Sequence, residues 1–145
     1  MRLSDSVHVN RDVETVRRFF MDPQNLPKWD RSVAEVVLTS RGPIGVGSTF
    51  DTIGPAPPGK QGLRTSYRAV RLDEWRMDAV VTKSNFFRTA VWETELEPTE
   101  RGTIVHCAVE FALKPQYVFL APLLLINKRA IGRDLSHLKE AIDHL

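Results

Sequence analysis

The sharpest candidate for chemistry in this sequence is Arg88. Alternation through Phe86–Leu96 puts Phe86, Arg88, Ala90, Trp92, Thr94 and Leu96 on one face, against Phe87, Thr89, Glu93 and Glu95 on the other. A guanidinium on an otherwise apolar face is costly unless it is paired or reaches water at a rim. Arg88 therefore either enters a cavity or ends its strand in solvent. Tyr67 is the second candidate. It falls with Thr65 and Ala69 on the face opposite Arg64, Ser66 and Arg68, so its hydroxyl points inward. Asn127 is the third, the one amide within an apolar helical stripe. A buried amide without partners costs about 1–3 kcal/mol, so Asn127 is either a satisfied core group or part of a cavity wall.

The remaining polar groups suggest less. Cys107, in TIVHCAVEFAL, reads as a small buried hydrophobe rather than a reactive thiol. His8, His106, His137 and His144 fall on solvent-like faces, and no His–carboxylate pair is implied by spacing. Asp22 and Asp30 flank a short helical segment and serve simply as cap or turn residues. The motifs HExxH, CxxC and GxSxG are missing, as is a phosphate-binding glycine loop. GPIGVG reads as a turn between strands. No metal site and no cofactor are expected.

These residues depend on the elements that carry them. Leu3–Val9 alternates and predicts a strand, followed by a helix from Val13 with Asn10 or Asp12 as N-cap. Pro23 ends that helix, and a second helical turn is expected from Pro23 to Lys28, near Trp29. Strands are predicted over Val33–Thr39, Thr49–Ile53, Leu63–Leu72, Arg76–Thr82, Phe86–Glu97 and Thr103–Leu113, joined by short loops. Short connections imply an antiparallel meander. After Lys114–Pro115 a long helix is expected. Its stripe of Leu120, Leu124, Asn127, Ile131, Leu135, Leu138, Ile142 and Leu145 repeats at spacings of three and four. The prediction is an α+β domain over residues 1–145: a curved antiparallel sheet of six or seven strands around a long C-terminal helix, with two short helices after the first strand.

The inward-facing list, with Phe50, Thr52, Thr65, Tyr67, Met77, Arg88 and Trp92, is apolar with a few polar members. That composition suits either a small-molecule pocket or an ordinary sheet core. Trp29 either plugs the gap between the short helices and the sheet or closes one end of a cavity. At the apolar start of the terminal helix, Phe119 and Leu123 join the candidate ligand-binding set. Val118, Phe119, Leu125 and Ile126 lie off the stripe and form either a cavity rim or an exposed patch for a second subunit or a membrane surface.

Bulk properties exclude several classes. With 145 residues the chain is one domain of ordinary size and needs no disulfide, and its single cysteine can form no internal one. Its 20 basic and 18 acidic residues are interspersed, giving a net charge of +2 and no basic stripe, so nucleic acid is not an expected partner. The uncharged run Tyr117–Ile126 is about half the roughly 20 residues a membrane-spanning helix needs. The polar N-terminus has no hydrophobic leader segment. The expectation is a cytoplasmic monomer or weak homodimer without integral membrane association.

In VHVNRDVETVRRFFMDPQNLPKWDRSV (Val7–Val33), GVGSTF (Gly45–Phe50), LEPTERGTIVHCAVEF (Leu96–Phe111) and DLSHLKEAID (Asp134–Asp143), the chain resembles the START-like, birch-pollen-allergen-like helix-grip superfamily (SRPBCC). The likeness is to its polyketide cyclase/dehydrase and lipid-transport branch, and the segments occur in the expected order across nearly the whole chain. The resemblance implies a helix-grip fold with a hydrophobic cavity between sheet and terminal helix. It implies that the start of that helix borders the cavity entrance and that the segment around Trp29 helps close one end. It also implies binding of a lipid, polyketide or aromatic metabolite. The alternative is cyclase or dehydratase activity in which, by analogy, Arg88 polarises a carbonyl and Tyr67 relays a proton.

Overall fold

The computed structural model describes residues 1–120 and 129–145. Arg2–Val9 forms β1 and Val13–Met21 forms α1, followed by a 3-10 helix at Pro23–Lys28. Six strands come next: β2 (Glu35–Leu38), β3 (Thr49–Ile53), β4 (Arg64–Leu72), β5 (Arg76–Lys83), β6 (Phe87–Thr99) and β7 (Gly102–Leu113). A second 3-10 helix covers Pro115–Leu120, and α2 covers Arg129–Asp143.

The seven strands form one antiparallel sheet in the order β1-β7-β6-β5-β4-β3-β2. The first strand therefore lies at one edge and the second at the other. α1 and the first 3-10 helix carry the chain between those edges. Among the described residues pairing is irregular at three places, between Ser66 and Tyr67, between Ala69 and Arg71, and between Phe87 and Thr89. Such bulges sharpen the twist of a sheet and change which side chains face which way.

Local chemistry fixes the two short helices. Asp12 is the cap of α1, and its carboxylate accepts from the Thr15 backbone N–H at 3.2 Å and the Thr15 hydroxyl at 2.6 Å. These bonds hold the Asp12 carboxyl below its ordinary value. Asp22 caps the 3-10 helix through Gln24 N–H at 3.0 Å, with Pro23 supplying a first-turn residue that has no N–H to satisfy.

The core lies between the concave face of the sheet and the helices. Val9 from β1, Val16 and Phe19 from α1, Leu96 from β6, Val105 and Cys107 from β7, and Leu135, Leu138 and Ile142 from α2 are all buried together. On α2 the buried positions fall at spacings of three and four, as the stripe requires. The Asp143 carboxylate ties the end of α2 to the loop after β1. It accepts from Asn10 N–H at 2.8 Å and from Lys139 Nζ at 2.7 Å. At the β6–β7 turn Gly102 adopts φ +148°, and a Cβ there would stand 2.1 Å from the Val9 carbonyl oxygen. That contact leaves no room for a side chain.

On the convex face, Arg64 Nε donates to the buried Asp51 carboxylate at 2.7 Å. Burial pushes the Asp51 carboxyl up. Hydrogen bonds from Arg64 and Ser66, with the charges of Arg64 and Lys83, more than offset this and leave it lowered. A lowered carboxylate stabilises the fold above the ordinary range, and that contribution fades as pH falls through the lowered value. Asp51→Asn is expected to cost about 1 kcal/mol at pH 7, because Arg64 is half-exposed and the pair is partly screened. Urea denaturation should show the two proteins converging as pH falls below 3.8, the ordinary carboxyl value. A constant gap down to acid pH would refute the assignment.

Candidate functional site

Between the concave face and the helices the described residues line a partly open cavity of about 200 Å³. The sheet contributes Phe50 and Thr52 from β3, Tyr67, Ala69 and Leu72 from β4, Met77 and Ala79 from β5, Trp92 and Thr94 from β6, and Cys107 from β7. Phe19 and Phe20 of α1, Leu26 of the 3-10 helix, Trp29, Val33 and Ile44 cover it from the opposite side. Asp134 and Leu135 represent α2.

Strand register explains why these residues meet. Phe50 stands directly opposite Tyr67, Ala69 opposite Ala79, and Ala79 opposite Trp92. Direct antiparallel partners share a face. The Phe50 and Tyr67 rings stack with centroids 5.3 Å apart, and the Phe20 and Trp29 rings meet edge-on at 6.0 Å. Ala69 and Ala79 are the small residues on this face that leave the volume open between the larger rings.

The polar groups in this apolar wall are few. Burial pushes the Tyr67 phenol up to about 12, helped by the Asp30 charge and opposed by the Thr52 hydroxyl and the Trp92 indole. It stays protonated at neutral pH and can donate a hydrogen bond. Burial likewise pushes the Cys107 thiol up to about 12, against a contact with Thr94, so it stays a thiol. On α2, burial raises the Asp134 carboxyl, and so does the negative charge of Asp30. The Arg31 backbone N–H and the charges of His137 and Arg31 oppose that shift. The Asp30 carboxylate accepts from Ser32 N–H at 2.9 Å and the Ser32 hydroxyl at 2.6 Å. It closes the turn expected of it and also borders the cavity.

Of the residues expected from sequence, Trp29, Phe50, Thr52, Tyr67, Met77 and Trp92 line the cavity. Thr65 pairs with Thr52 on the same face but sits outside the lining. Leu123 and Asn127 lie outside the described residues, as do Leu124, Leu125 and Ile126 of the same run.

Two expectations need correction. Arg88 is exposed and is not part of the cavity wall. It occupies the irregularity between Phe87 and Thr89, where one extra residue shifts the alternation. As a result Phe87, expected to face outward, packs on Phe111 with ring centroids 5.5 Å apart and joins the buried cluster of Ala90 and Val109. Phe119 is 72% exposed and does not reach the cavity. It belongs to a 3-10 helix, where the facing expected of an α-helix starting at Tyr117 does not apply.

Sequence reasoning put Thr94 and Ala79 on inward faces without naming them as site residues, missed Asp134 and Ile44, and gave Asp30 only its turn role. Asp134 had a legible signal: it lies three residues after Ile131 and four before Leu138, on the inward stripe. The sheet also creates a pairing that spacing hid. Ser6 Oγ lies 2.6 Å from His106 Nδ1, and His106 Nε2 lies 2.9 Å from Glu97 Oε2. This row stands exposed on the convex face, where β6 and β7 backbone groups are engaged in the sheet ladder. The Arg2 and Arg76 guanidiniums line the same groove and are both engaged by Glu93, at 2.8 and 3.0 Å, so neither is free to hold the oxyanion that acyl transfer develops.

Among the described residues no helix is long and apolar enough to cross a membrane. A family model described as polyketide cyclase / dehydrase and lipid transport matches residues 1–143. A search of curated proteins finds no match. Among solved structures, the protein TTHA0849 from Thermus thermophilus superposes with a TM-score of 0.77 at 18% identity, covering 98% of this chain and 97% of that one. A START superfamily protein from Mycobacterium smegmatis gives 0.73 at 16% identity, covering 99% and 94%. The di-domain ARO/CYC StfQ from the steffimycin biosynthetic pathway gives 0.72 at 16% identity, with 99% of this chain matched to 50% of that one. At these identities the structural likenesses establish the fold. The match to the family model over nearly the full length goes further: the chain belongs to the polyketide cyclase / dehydrase and lipid transport family.

Proposed function

We propose that this protein binds a small hydrophobic molecule, a lipid, polyketide or aromatic metabolite, in the cavity between its curved sheet and α2. The observation that carries the reading is the cavity itself. About 200 Å³ of space is walled mainly by apolar and aromatic side chains, with hydroxyls of Thr52 and Tyr67 at fixed points. Apolar area supplies affinity, and a few polar atoms set orientation. The volume lies below the roughly 300–1,000 Å³ of drug-sized pockets. It suits one or two fused rings or a short acyl segment.

A cyclase or dehydratase reading has one group in its favour, the Tyr67 hydroxyl, which is buried, protonated and able to donate to a carbonyl. That reading also needs a cation, and the sequence candidate for it, Arg88, lies outside the wall. Binding without turnover requires only the pocket and takes precedence. The protein is proposed to act in the cytoplasm as a monomer or weak homodimer, with exposed Val118 and Phe119 as the candidate dimer surface.

The test is direct. Purified protein is extracted with organic solvent and the extract analysed by mass spectrometry, while the stripped protein is titrated with a neutral naphthalene fluorophore. Saturable binding in the micromolar range is expected, with an apolar molecule in the extract. Folded, stripped protein that leaves the probe's emission unchanged would overturn the reading.

A further inference from the structure

The charged residues around the cavity are distributed unevenly. Asp30 and Asp134 border it, and no Lys, Arg or His lines it among the described residues. Asp78 and Glu93 also contribute to its lining, but they alternate with the inward-facing residues of β5 and β6, and their carboxylates are engaged by Arg76 on the convex face at 3.2 and 3.0 Å. Asp22 is occupied as a helix cap. Lys28, Arg31, His137 and His144 line a neighbouring groove, with Glu140 as its one acidic member among the described residues, and Trp29 takes part in it too. Trp29 thus stands between a basic outer groove and an acidic interior. Inside, the available polar groups are hydroxyls and two carboxylates that no described ion pair neutralises.

We propose that the cavity selects its ligand by charge, admitting neutral or cationic hydrophobic molecules and rejecting carboxylates and other anions. The inference rests on the binding reading above. An ammonium group placed near Asp30 and Asp134 is attracted by both carboxylates, neither of which has a salt-bridge partner among the described residues. A hydroxyl or carbonyl finds Tyr67 and Thr52. A carboxylate loses part of its water and meets two like charges, with no cation among the described lining residues to compensate, which is costly in a site walled mainly by apolar groups. Burial first, and then the Asp30 charge, raise the Asp134 carboxyl, and both would act on a ligand anion in the same sense.

Three probes of one shape separate the outcomes: 1-naphthylmethylamine, 1-naphthalenemethanol and 1-naphthoate, titrated calorimetrically at pH 7. The amine and the alcohol are expected to bind, with the carboxylate weaker by about tenfold or more. Asp134→Asn should narrow the gap between amine and carboxylate several-fold, with the alcohol as reference for any change in pocket shape. Asp30→Asn serves the same purpose if the first variant does not fold. A carboxylate that binds as well as the alcohol, or a gap unmoved by a folded variant, overturns charge selection and leaves the binding reading standing. Failure of all three probes to bind overturns that reading, and this inference with it.

Discussion

Ala79→Phe is expected to weaken binding of a neutral naphthalene probe by about tenfold or more while the protein stays folded. Ala79 lines the cavity on β5, directly opposite Ala69 on one neighbour and Trp92 on the other. A phenyl ring built there enters a space of about 200 Å³ and occupies a large share of it. The same volume cannot hold both the ring and a ligand. Stability moves the other way or not at all, because filling a void restores contacts that its lining lacks. The opposite signs make the experiment informative. A general loss of structure lowers both quantities, whereas occupation of the pocket lowers binding alone. Ala79→Leu gives a graded version if the larger ring strains the sheet. Unchanged probe affinity in a folded Ala79→Phe protein would place the ligand elsewhere and remove the basis of the functional reading.

Leu138→Ala is expected to cost about 2–5 kcal/mol, a large fraction of the roughly 5–15 kcal/mol that holds a domain of this size folded. Leu138 is 0% exposed and belongs to the cluster in which β1, α1, β6, β7 and α2 meet. Removing its branched end leaves a hole among Val9, Val16, Val105 and Ile142, whose backbones are held by the sheet and helices and cannot close fully. Urea melts should shift to lower midpoint with an unchanged slope, the mark of lost stability rather than altered compactness. Leu145→Ala, at a half-exposed position on the same stripe, should change stability by less than about 0.5 kcal/mol. Similar losses at the two positions would contradict the packing described for α2.

The elements themselves were readable because their signals are local. Val105, Cys107, Val109 and Phe111 alternate along β7, and the structure buries all four. Leu135, Leu138 and Ile142 repeat at helical spacing, and all three are buried. Asp12 and Pro23 marked the helix boundaries through chemistry that acts within four residues. The long terminal helix was readable in its second half, where α2 lies, while its expected start is a 3-10 helix at Pro115–Leu120.

The assembly of the site required more. Asp30 and Asp134 are brought to one cavity from distant parts of the chain, and neither position states its partner. Ser6, His106 and Glu97 come together only through the pairing of three strands. Arg88 shows the limit most plainly. Its alternation pointed inward, yet a single unpaired residue against β7 reversed the facing of everything before it.

By itself, then, the sequence determined the order and type of the elements, the buried stripe of α2 and the inward face of β7. Each of these follows from a backbone repeat that neighbouring residues either satisfy or break. The tertiary structure alone decided where the sheet bulges, which polar groups share the cavity and how its charge is distributed. Those features come from register between strands and packing between remote segments, and their energies are set by contacts that no local period records.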